Sequence, residues 1–403
     1  MAIFLIVFFL IYGGINTYAF LKARAAFDFD LYVSLPLGLF LALMVMAPLL
    51  VRILEGRGME PLAQSLAWVG YVWMGLIFLF FCAAVVVDLV SLLAWGANAI
   101  AGDRLSFLVP SALVRFLVPA AVALGVGLYS LYEAGNLQVE TVVIRTSKIP
   151  PEVGKVTIVQ ITDVHLGVTL RQKALNRILD RVRRAQPDLL VSTGDLLDGD
   201  ICRIDGLVER FRDIQPKYGK FAVTGNHEFY AGVEMAVRCM EEAGFNVLRG
   251  ERVEVDGVLS VAGVDDPQGK SFDNYAGISE RDLLTVSNPD TAGGASDRFS
   301  LLLKHQPVVD SAAVGLFDLQ LSGHTHKGQI FPFSLLVKMA YPRYGGYYRL
   351  PKDSRLYTSR GTGTWGPPMR FLSPPEVTVF HLVAIGNSTE NDDRETVYVK
   401  DPG

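Results

Sequence analysis

The chain of 403 residues is long enough for more than one domain, and its formal net charge is −4. Its charged residues are divided unevenly, with 13 in residues 1–135 and 65 in residues 136–403. No basic run or cluster occurs, so we expect no nucleic-acid partner, and three scattered cysteines exclude a disulfide framework and a thiolate metal site.

The first third of the chain contains four apolar stretches, at about 2–21, 32–51, 66–95 and 112–132. Each is close to or longer than the roughly 20 residues that a membrane-spanning helix needs. The first stretch lacks the basic start and the small-residue cleavage site of a signal peptide, so we interpret it as an uncleaved span. Asp88 interrupts the third stretch and marks either a polar contact inside the bundle or the end of a helix. The sequence therefore predicts an integral, multi-pass membrane anchor over residues 1–135.

Basic residues beside the spans bear on the orientation of this anchor. Four spans leave both of its ends on the same side of the membrane. Four basic residues favour a cytoplasmic C-terminal domain: Arg52, Arg57, Arg145 and Lys148. Three favour the opposite orientation: Lys22, Arg24 and Arg104. The difference is small, and it favours the cytoplasmic side for the domain that follows.

The rest of the chain has the pattern of an α/β domain. Short runs rich in Val, Ile and Leu are typical of buried strands, and they lie at 155–162, 188–193, 220–224, 299–304 and 318–321. Between them, Arg171–Arg184 and Val233–Ala243 have helical spacing. We therefore predict a connector at 136–152, an α/β domain at 153–383 and a disordered polar tail at 384–403.

Five of the six histidines directly follow these predicted strands, together with two aspartates and an asparagine. The residues are Asp163, His165, Asp195, Asn226, His227, His305, His324 and His326. Open α/β sheets bind their ligands at the carboxyl ends of the strands, so we expect these side chains to lie close together. Imidazole, carboxylate and amide ligands suit Mn, Fe, Zn or Co rather than Ca or Mg alone. The absence of a thiolate from the set argues against a structural zinc site.

Five motifs occur here in a fixed order: DVH (163–165), GDLLD (194–198), GNHE (225–228), an isolated His305 and GHTH (323–326). This order resembles that of the calcineurin-like metallophosphoesterase superfamily, and especially its membrane-anchored bacterial branch, which is similar to UDP-2,3-diacylglucosamine pyrophosphatase-like phosphoesterases. The resemblance implies a four-layer αββα sandwich, here preceded by a transmembrane helical region of about four spans. It also implies two divalent metal ions, which would be Mn, Fe, Zn or Co.

The resemblance assigns the ligands to the two metals. One metal would be held by Asp163, His165 and His326, and the other by Asn226, His305 and His324. Two ions about 3.5–4 Å apart need a shared anionic ligand, which Asp195 would supply. A water bridging such ions would ionise to a hydroxide that attacks the phosphorus atom.

His227 follows the asparagine ligand, and at this position family members have a general acid or an electrostatic partner of the leaving oxygen. Glu228 is predicted to be catalytic beside it, because a carboxylate orients a catalytic imidazole. Asp198 is an alternative for the orienting carboxylate, and spacing alone does not choose between the two.

Four further features lie after the last motif. Lys327 stands where membrane-associated branches of the family often have a glycine, and it would bring a cation to an anionic substrate; Arg370 is a second candidate for substrate binding. Residues 361–366 (GTGTWG) match a dinucleotide-binding pattern, but two prolines follow, so no helix begins there and that function is excluded. The segment Ile330–Tyr341 is unusually apolar, and it is either buried core or a lip that touches a bilayer or a lipid tail.

These observations predict a membrane-anchored two-metal phosphoesterase that hydrolyses a phosphodiester or pyrophosphate bond. The anchor points to a lipid-linked or membrane-proximal substrate, by analogy of location alone. The alternatives are a phosphomonoesterase or a protein phosphatase that uses the same site. A non-catalytic membrane scaffold is disfavoured, because every ligand position is filled. The sequence leaves the oligomeric state open.

Overall fold

The computed structural model describes residues 2–168, 172–199, 209–272, 274–285, 298–385 and 397–400. The chain forms two compact units. The first, here called the helical unit, comprises Met1–Tyr132 and Gly366–Phe371. The second, here called the two-sheet unit, comprises Glu133–Trp365 and Leu372–Gly403.

Four long helices make up most of what is described of the helical unit: α1 (Ala2–Phe27), α2 (Leu31–Gly56), α3 (Glu60–Ile100) and α4 (Ala112–Gly135). Each contains one of the predicted apolar stretches and extends beyond it. A helix of 24 to 41 residues is long enough to cross the hydrocarbon core of a bilayer, which is about 30 Å thick. All four helices have the length and the apolar composition of membrane spans.

Asp88 lies within α3 and is paired with residues of two other helices. Its carboxylate accepts hydrogen bonds from Tyr18 and Lys22 of α1, both at 2.5 Å, and from Arg115 of α4 at 2.9 Å. An ionised group in a membrane helix is costly unless it is paired in this way. Of the two interpretations made from the sequence, the polar contact inside the bundle is the one that the structure supports.

A short piece from late in the chain, Gly366–Phe371, also belongs to the helical unit. Met369 is completely buried, and a Cβ atom on Gly75 of α3 would lie only 2.4 Å from its Sδ atom. The backbone N–H of Arg370 donates to the carbonyl of Ser130 in α4 at 2.9 Å. Glycine at position 75 thus lets the methionine side chain pack directly on the helix backbone.

The described part of the two-sheet unit has thirteen strands. They are β1 (Gln138–Thr146), β2 (Lys155–Ile161), β3 (Leu189–Ser192), β4 (Lys220–Ala222), β5 (Asn246–Val247), β6 (Glu251–Val255), β7 (Leu259–Gly263), β8 (Phe299–Leu303), β9 (Leu319–Ser322), β10 (Gly346–Arg349), β11 (Arg355–Thr358), β12 (Glu376–Ala384) and β13 (Val397–Lys400). One sheet has the order β13-β1-β12-β2-β3-β4-β5, and the other has the order β10-β11-β9-β8-β7-β6. Strands β2 to β5 are parallel to each other, and so are β7, β8, β9 and β11.

The two sheets pack face to face through one buried hydrophobic cluster. It includes Ile158 and Val191 of the first sheet and Leu301 and Leu319 of the second. Burying both faces of a parallel strand explains why these runs are almost continuously apolar.

Helices cover the outer face of each sheet. The described helices of this unit are α5 (Gln172–Arg184), α6 (Asn226–Ala231), α7 (Val233–Glu242), α8 (Glu280–Thr285) and α9 (Phe333–Ala340). Leu175 and Ile178 of α5 share a core cluster with Val159 of β2, and Leu283 of α8 shares another with Leu302 of β8. The predicted four-layer αββα sandwich is confirmed.

Two strands lie outside the limits 153–383 that the sequence suggested for this domain. Strand β1 occupies the predicted connector, where it pairs in parallel with β12 and antiparallel with β13. Its burial alternates along the chain, and Val142 and Ile144 enter the core between the sheets. Within the predicted disordered tail, residues 397–400 form β13, while 386–396 and 401–403 lie outside the described residues.

Candidate active site

The predicted functional residues lie in the loops that follow β2, β3, β4, β8 and β9. These are adjacent parallel strands within each sheet, so their carboxyl ends open at one edge of the sandwich. The structure brings together seven side chains there, here called the ligand cluster: Asp163, His165, Asp195, Asn226, His305, His324 and His326. Its aspartates and histidines are buried or nearly so.

The first half of the cluster consists of Asp163, His165 and His326. The two Nε2 atoms of His165 and His326 lie 3.1 Å apart, and Nε2 of His326 lies 3.4 Å from Oδ1 of Asp163. Potential ligand atoms of all three lie within 4.8 Å of one another. Nitrogen and oxygen lone pairs that converge in this way suit a single divalent cation.

The second half consists of His305, His324 and Asn226. Nδ1 of His324 lies 3.2 Å from Nε2 of His305 and 3.0 Å from Oδ1 of Asn226. Asp195 lies between the halves, because its Oδ2 atom is 3.2 Å from Nε2 of His305 and 3.8 Å from Nε2 of His165. The donor set therefore fits two cations with a carboxylate between them.

The backbone of the ligand cluster is strained. Five of its residues, none of them glycine, have left-handed φ angles between 46° and 71°: Asp163, His165, Asp195, His324 and His326. A conformation of this kind costs about 1–3 kcal/mol per residue and tends to occur at functional sites. Here the strain directs side chains from sharply turning loops to one point.

Two glycines of the motifs allow close approach by the carboxylates. A Cβ atom on Gly225 would lie 2.2 Å from Oδ1 of Asp195, and one on Gly323 would lie 2.2 Å from Oδ2 of Asp163. Any side chain at these positions would collide with a ligand, which is the physical reason for glycine there.

Burial controls the protonation of the cluster. It lowers the pKa of His165 and of His324 to about 3, so both imidazoles are neutral and have a lone pair for a metal. Burial also raises the pKa of Asp163 to about 6. At His305, burial opposes protonation, but the carboxylate of Asp195 holds the pKa well above its usual range. A bound cation would replace that proton as the counter-charge of Asp195.

Contacts outside the cluster fix the rings of the ligands. Nδ1 of His305 lies 2.8 Å from the carbonyl of Thr193, so its Nε2 atom is the one available to a metal. Nε2 of His324 lies 3.0 Å from the hydroxyl of Tyr341, which leaves Nδ1. Tyr341 was missed from the sequence, where nothing in the motif pattern points to a residue 17 positions after His324.

His227 lies beside the cluster and is oriented by Asp198. Its Nδ1 atom is 3.2 Å from Oδ1 of Asp198, and its backbone N–H donates to Oδ1 of Asp195 at 2.9 Å. Burial works against protonation of this ring, but Asp195, followed by Asp198, raises the pKa of His227 to about 9. The ring is therefore a proton donor at neutral pH in the metal-free site. Of the two carboxylates that the sequence offered as its partner, Asp198 makes the contact.

Glu228 holds backbone instead. Its completely buried carboxylate accepts hydrogen bonds from the N–H groups of Gly225 at 2.7 Å, Asp195 at 3.0 Å and Leu197 at 3.1 Å. These bonds tie the loop after β3 to the loop after β4. The catalytic role predicted for Glu228 gains no support from these contacts, which are those of a residue that positions the ligand loops.

Two aromatic rings flank His227. Tyr230 and Trp365 both meet it edge to face, with ring centroids 5.6 and 5.7 Å away, and both are about half exposed. The side-chain amide of Gln329 binds the backbone of Trp365 twice, accepting from its N–H and donating to its carbonyl. Trp365 belongs to the late glycine-rich segment 361–366.

The two candidate substrate-binding residues are placed differently. Lys327 directly follows the ligand His326, with a left-handed φ of 50°, and its half-buried side chain lies against Gly345. Arg370 is completely buried in the segment that belongs to the helical unit.

Comparison with known proteins agrees with this geometry. Residues 156–328 match the family model of the calcineurin-like phosphoesterases. A metallophosphoesterase of Aquifex aeolicus is 37% identical over 267 residues, which cover 66% of this chain and 99% of that protein. A transmembrane protein with a metallophosphoesterase domain from Bos taurus is 30% identical over 344 residues, which cover 81% of this chain and 75% of that protein.

Among solved structures, the comparison finds a dimetal phosphatase from Danio rerio with a TM-score of 0.34 and 15% identity, covering 51% of this chain and 87% of that one. The four long apolar helices and the transmembrane relative show a membrane protein. The extensive match to the Aquifex protein and the family model give the catalytic class. The chain belongs to the calcineurin-like metallophosphoesterase family and is a membrane-bound, metal-dependent phosphoric ester hydrolase.

Proposed function

We propose that the ligand cluster holds two divalent cations and hydrolyses a phosphodiester or pyrophosphate bond in a lipid-linked substrate. One cation would bind Asp163, His165 and His326, and the other would bind Asn226, His305 and His324. The observation that carries this division is the position of Asp195, whose carboxylate lies within 3.8 Å of a histidine nitrogen from each half. When bound, divalent cations at such a centre polarise phosphoryl oxygens and acidify water.

The chain's own catalytic group would be His227. The new bond joins water oxygen to phosphorus, the proton that this water loses goes to the solvent, and the bond from phosphorus to the leaving oxygen breaks. His227 would give its Nε2 proton to that oxygen, while Asp198 holds the Nδ1–H through the 3.2 Å contact. Lys327 would add positive charge beside the phosphate, whereas the buried position of Arg370 favours a structural role for it.

The membrane attachment supports a lipid-linked substrate, because the spans tether the catalytic domain to a bilayer. We further propose that the domain lies on the cytoplasmic side and that it includes β1 as well as residues 153–383. A phosphomonoesterase or protein phosphatase would use the same cluster and is the second candidate. The filled ligand set argues against a scaffold without activity.

The test begins with the full-length protein in detergent, loaded separately with Mn, Fe, Co or Zn. Turnover is compared among a generic phosphodiester, the matching monoester and a nucleotide-diphospho lipid. We expect the lipid or the diester to be the better substrate. A clear preference for the monoester would favour a phosphomonoesterase or protein phosphatase. The absence of turnover with all four metals would contradict the proposed phosphoesterase activity.

Metal stoichiometry tests the two-cation centre directly. We expect two ions per chain by elemental analysis, and fewer in Asp195→Asn, with turnover lost. Asp213→Asn is the matched control, because the side chain of Asp213 is 73% exposed on the surface. Equal metal content and turnover in both variants would contradict the bridging role of Asp195.

A further inference from the structure

The helix α9 exposes a row of large apolar side chains. Phe333, Leu335, Leu336 and Met339 are 48%, 56%, 60% and 81% exposed, and Phe331 just before the helix is 40% exposed. None of the eight residues of α9, all of them described, is buried. Single exposed apolar residues are ordinary, but a continuous group of this kind marks a surface that meets a membrane or a partner. Of the two interpretations of this apolar segment, burial in the core is thus wrong for α9, although Ile330 before it is buried.

Both ends of α9 are tied to the ligand cluster. On the N-terminal side, the turn that contains His326 reaches Gly328, where a Cβ atom would lie only 2.3 Å from the Cα atom of Ser334. On the C-terminal side, the N–H of Tyr341 donates to the carbonyl of Val337, and its hydroxyl lies 3.0 Å from the ligand His324. The exposed helix therefore forms part of the rim of the metal site.

The charged residues that flank α9 along the chain have one sign. No Asp or Glu occurs between Asp318 and Asp353, whereas Lys327, Lys338, Arg343 and Arg349 are all within that stretch. Lys338 and Arg343 are exposed, and so are most of the residues from Phe331 to Arg343. Exposed apolar side chains combined with flanking basic residues are typical of helices that lie in the interface of an anionic membrane.

We propose that α9 inserts its apolar side chains into the surface of the membrane in which the chain's own spans are embedded, and so opens the rim of the metal site to a substrate held in the bilayer. A bilayer is favoured over a protein partner because the basic residues complement anionic head groups and because the spans tether this chain to a membrane. Substrate entry along α9 rests on the proposed phosphoesterase function. Insertion of the helix does not.

The location of α9 is tested on the full-length protein in nanodiscs of phosphatidylcholine and phosphatidylglycerol. A nitroxide is attached at Met339→Cys and, as a matched control, at Ile278→Cys, because Ile278 is 48% exposed and lies on a loop outside α9. The parent protein, treated in parallel, corrects for labelling of its own cysteines. The measured quantity is the relaxation of each nitroxide by oxygen, which concentrates in lipid, and by a nickel chelate, which stays in water. At position 339 we expect oxygen to have the larger effect, and at position 278 the chelate.

Two outcomes would overturn the insertion of α9. Equal behaviour of the two probes would place the helix in water. Shielding of the 339 probe from both agents would show that protein covers the helix, either another partner or a second copy of the chain. Neither outcome depends on catalytic activity, so this measurement is separate from the test of the proposed function.

Substrate entry is tested by the double variant Leu336→Ser/Met339→Ser, with Ile278→Ser as control. We expect hydrolysis of a phosphodiester lipid in the same nanodiscs to fall by about tenfold or more. The reason is that burying either side chain in lipid raises the affinity of the helix for the membrane by at least about tenfold. Hydrolysis of soluble bis(p-nitrophenyl) phosphate should stay unchanged. An equal loss on both substrates would show damage to the site and contradict entry along α9. If the parent protein hydrolyses neither substrate with any metal, the proposed function fails while the probe result stands.

Discussion

Nδ1 of His227 lies 3.2 Å from Oδ1 of Asp198, while Glu228, the immediate neighbour of His227, binds three backbone N–H groups instead. The carboxylate that is nearest in the chain is thus not the one that orients the imidazole. Asp198 comes from the loop after β3 and meets His227 only because the loops after β3 and β4 are adjacent at the edge of the sheet. This separation of roles makes the contributions of the two carboxylates distinguishable by experiment.

The contact between His227 and Asp198 predicts a dependence on the leaving group. His227→Asn should lower kcat by about 10²–10⁴-fold for a diester with an alkoxide leaving group, because such an oxygen needs a proton. The loss should be much smaller for p-nitrophenolate, which leaves as an anion. Steady-state kinetics on the two diesters measures this difference, with metal content as the control. Equal losses on both substrates would argue against proton donation by His227.

Asp198→Asn should reproduce part of the same defect. The amide still orients the ring but no longer favours its protonated form, so we expect a smaller loss with the same leaving-group pattern. In the double variant with His227→Asn, the losses should not add, since the two residues act as one unit. Additive losses in the double variant would show that Asp198 acts independently of His227.

Removal of metal should destabilise the two-sheet unit. When a chelator removes bound cations, the buried carboxylates of the ligand cluster lose their counter-charges and the imidazoles lose the metal that they coordinate. At a hundredfold excess of metal over its Kd, binding to the folded state adds about 2.7 kcal/mol per site. Thermal unfolding followed with and without chelator should show this as a higher Tm for the loaded protein. Asp195→Asn should show a smaller increase in Tm on metal loading. An increase as large as that of the parent protein would argue against Asp195 as a metal ligand.

Tyr341→Phe should weaken metal binding without unfolding the protein. The lost hydroxyl lies 3.0 Å from Nε2 of His324 and fixes the orientation of that ring. Removal of such an outer contact typically costs about 10–100-fold in metal affinity. Tyr348→Phe is the control, because the hydroxyl of Tyr348 donates to the Gly345 carbonyl rather than to a ligand. The same affinity in both variants would mean that Tyr341 does not position His324.

Glu228→Gln tests the structural role of that carboxylate. A glutamine amide turns an N–H₂ group toward buried backbone donors, so we expect the free energy of unfolding to fall by about 1–3 kcal/mol. Denaturant unfolding measures this change, with the exposed Glu241→Gln as control. A variant with unchanged stability but a large loss of kcat would restore the catalytic role that the sequence suggested for Glu228.

Trp365→Ala should affect substrates with an aromatic leaving group most. The exposed ring of Trp365 lies edge to face with His227, next to the place where the leaving group would be protonated. Loss of an aromatic contact is worth about 0.5–1.5 kcal/mol, or about two- to tenfold in KM. A diester with a methyl leaving group serves as the control substrate. Identical changes in KM for both substrates would mean that Trp365 does not contact the leaving group.

Much of this molecule could be predicted from local pattern. The four helices of the anchor follow from apolar stretches that are each long enough to span a bilayer, and the α/β class of the second part follows from short apolar runs that alternate with helical ones. The sandwich itself was implied by the resemblance of the motifs to the metallophosphoesterases. Strand β1 was missed because its burial alternates, so its sequence is only half apolar and resembles a connector. Its identity as a strand depends on pairing with β12, more than 200 residues later.

The sequence by itself determined which residues form the ligand cluster, because the glycines and ligands of each motif lie within a few residues of one strand end. Tertiary structure alone decided three other matters: that Asp198 rather than Glu228 orients His227, that Tyr341 holds His324, and that α9 is exposed. Each of these depends on contacts between residues on different loops, or on the absence of packing over a helix. Such contacts follow from the arrangement of the strands in space and leave no local pattern in the chain.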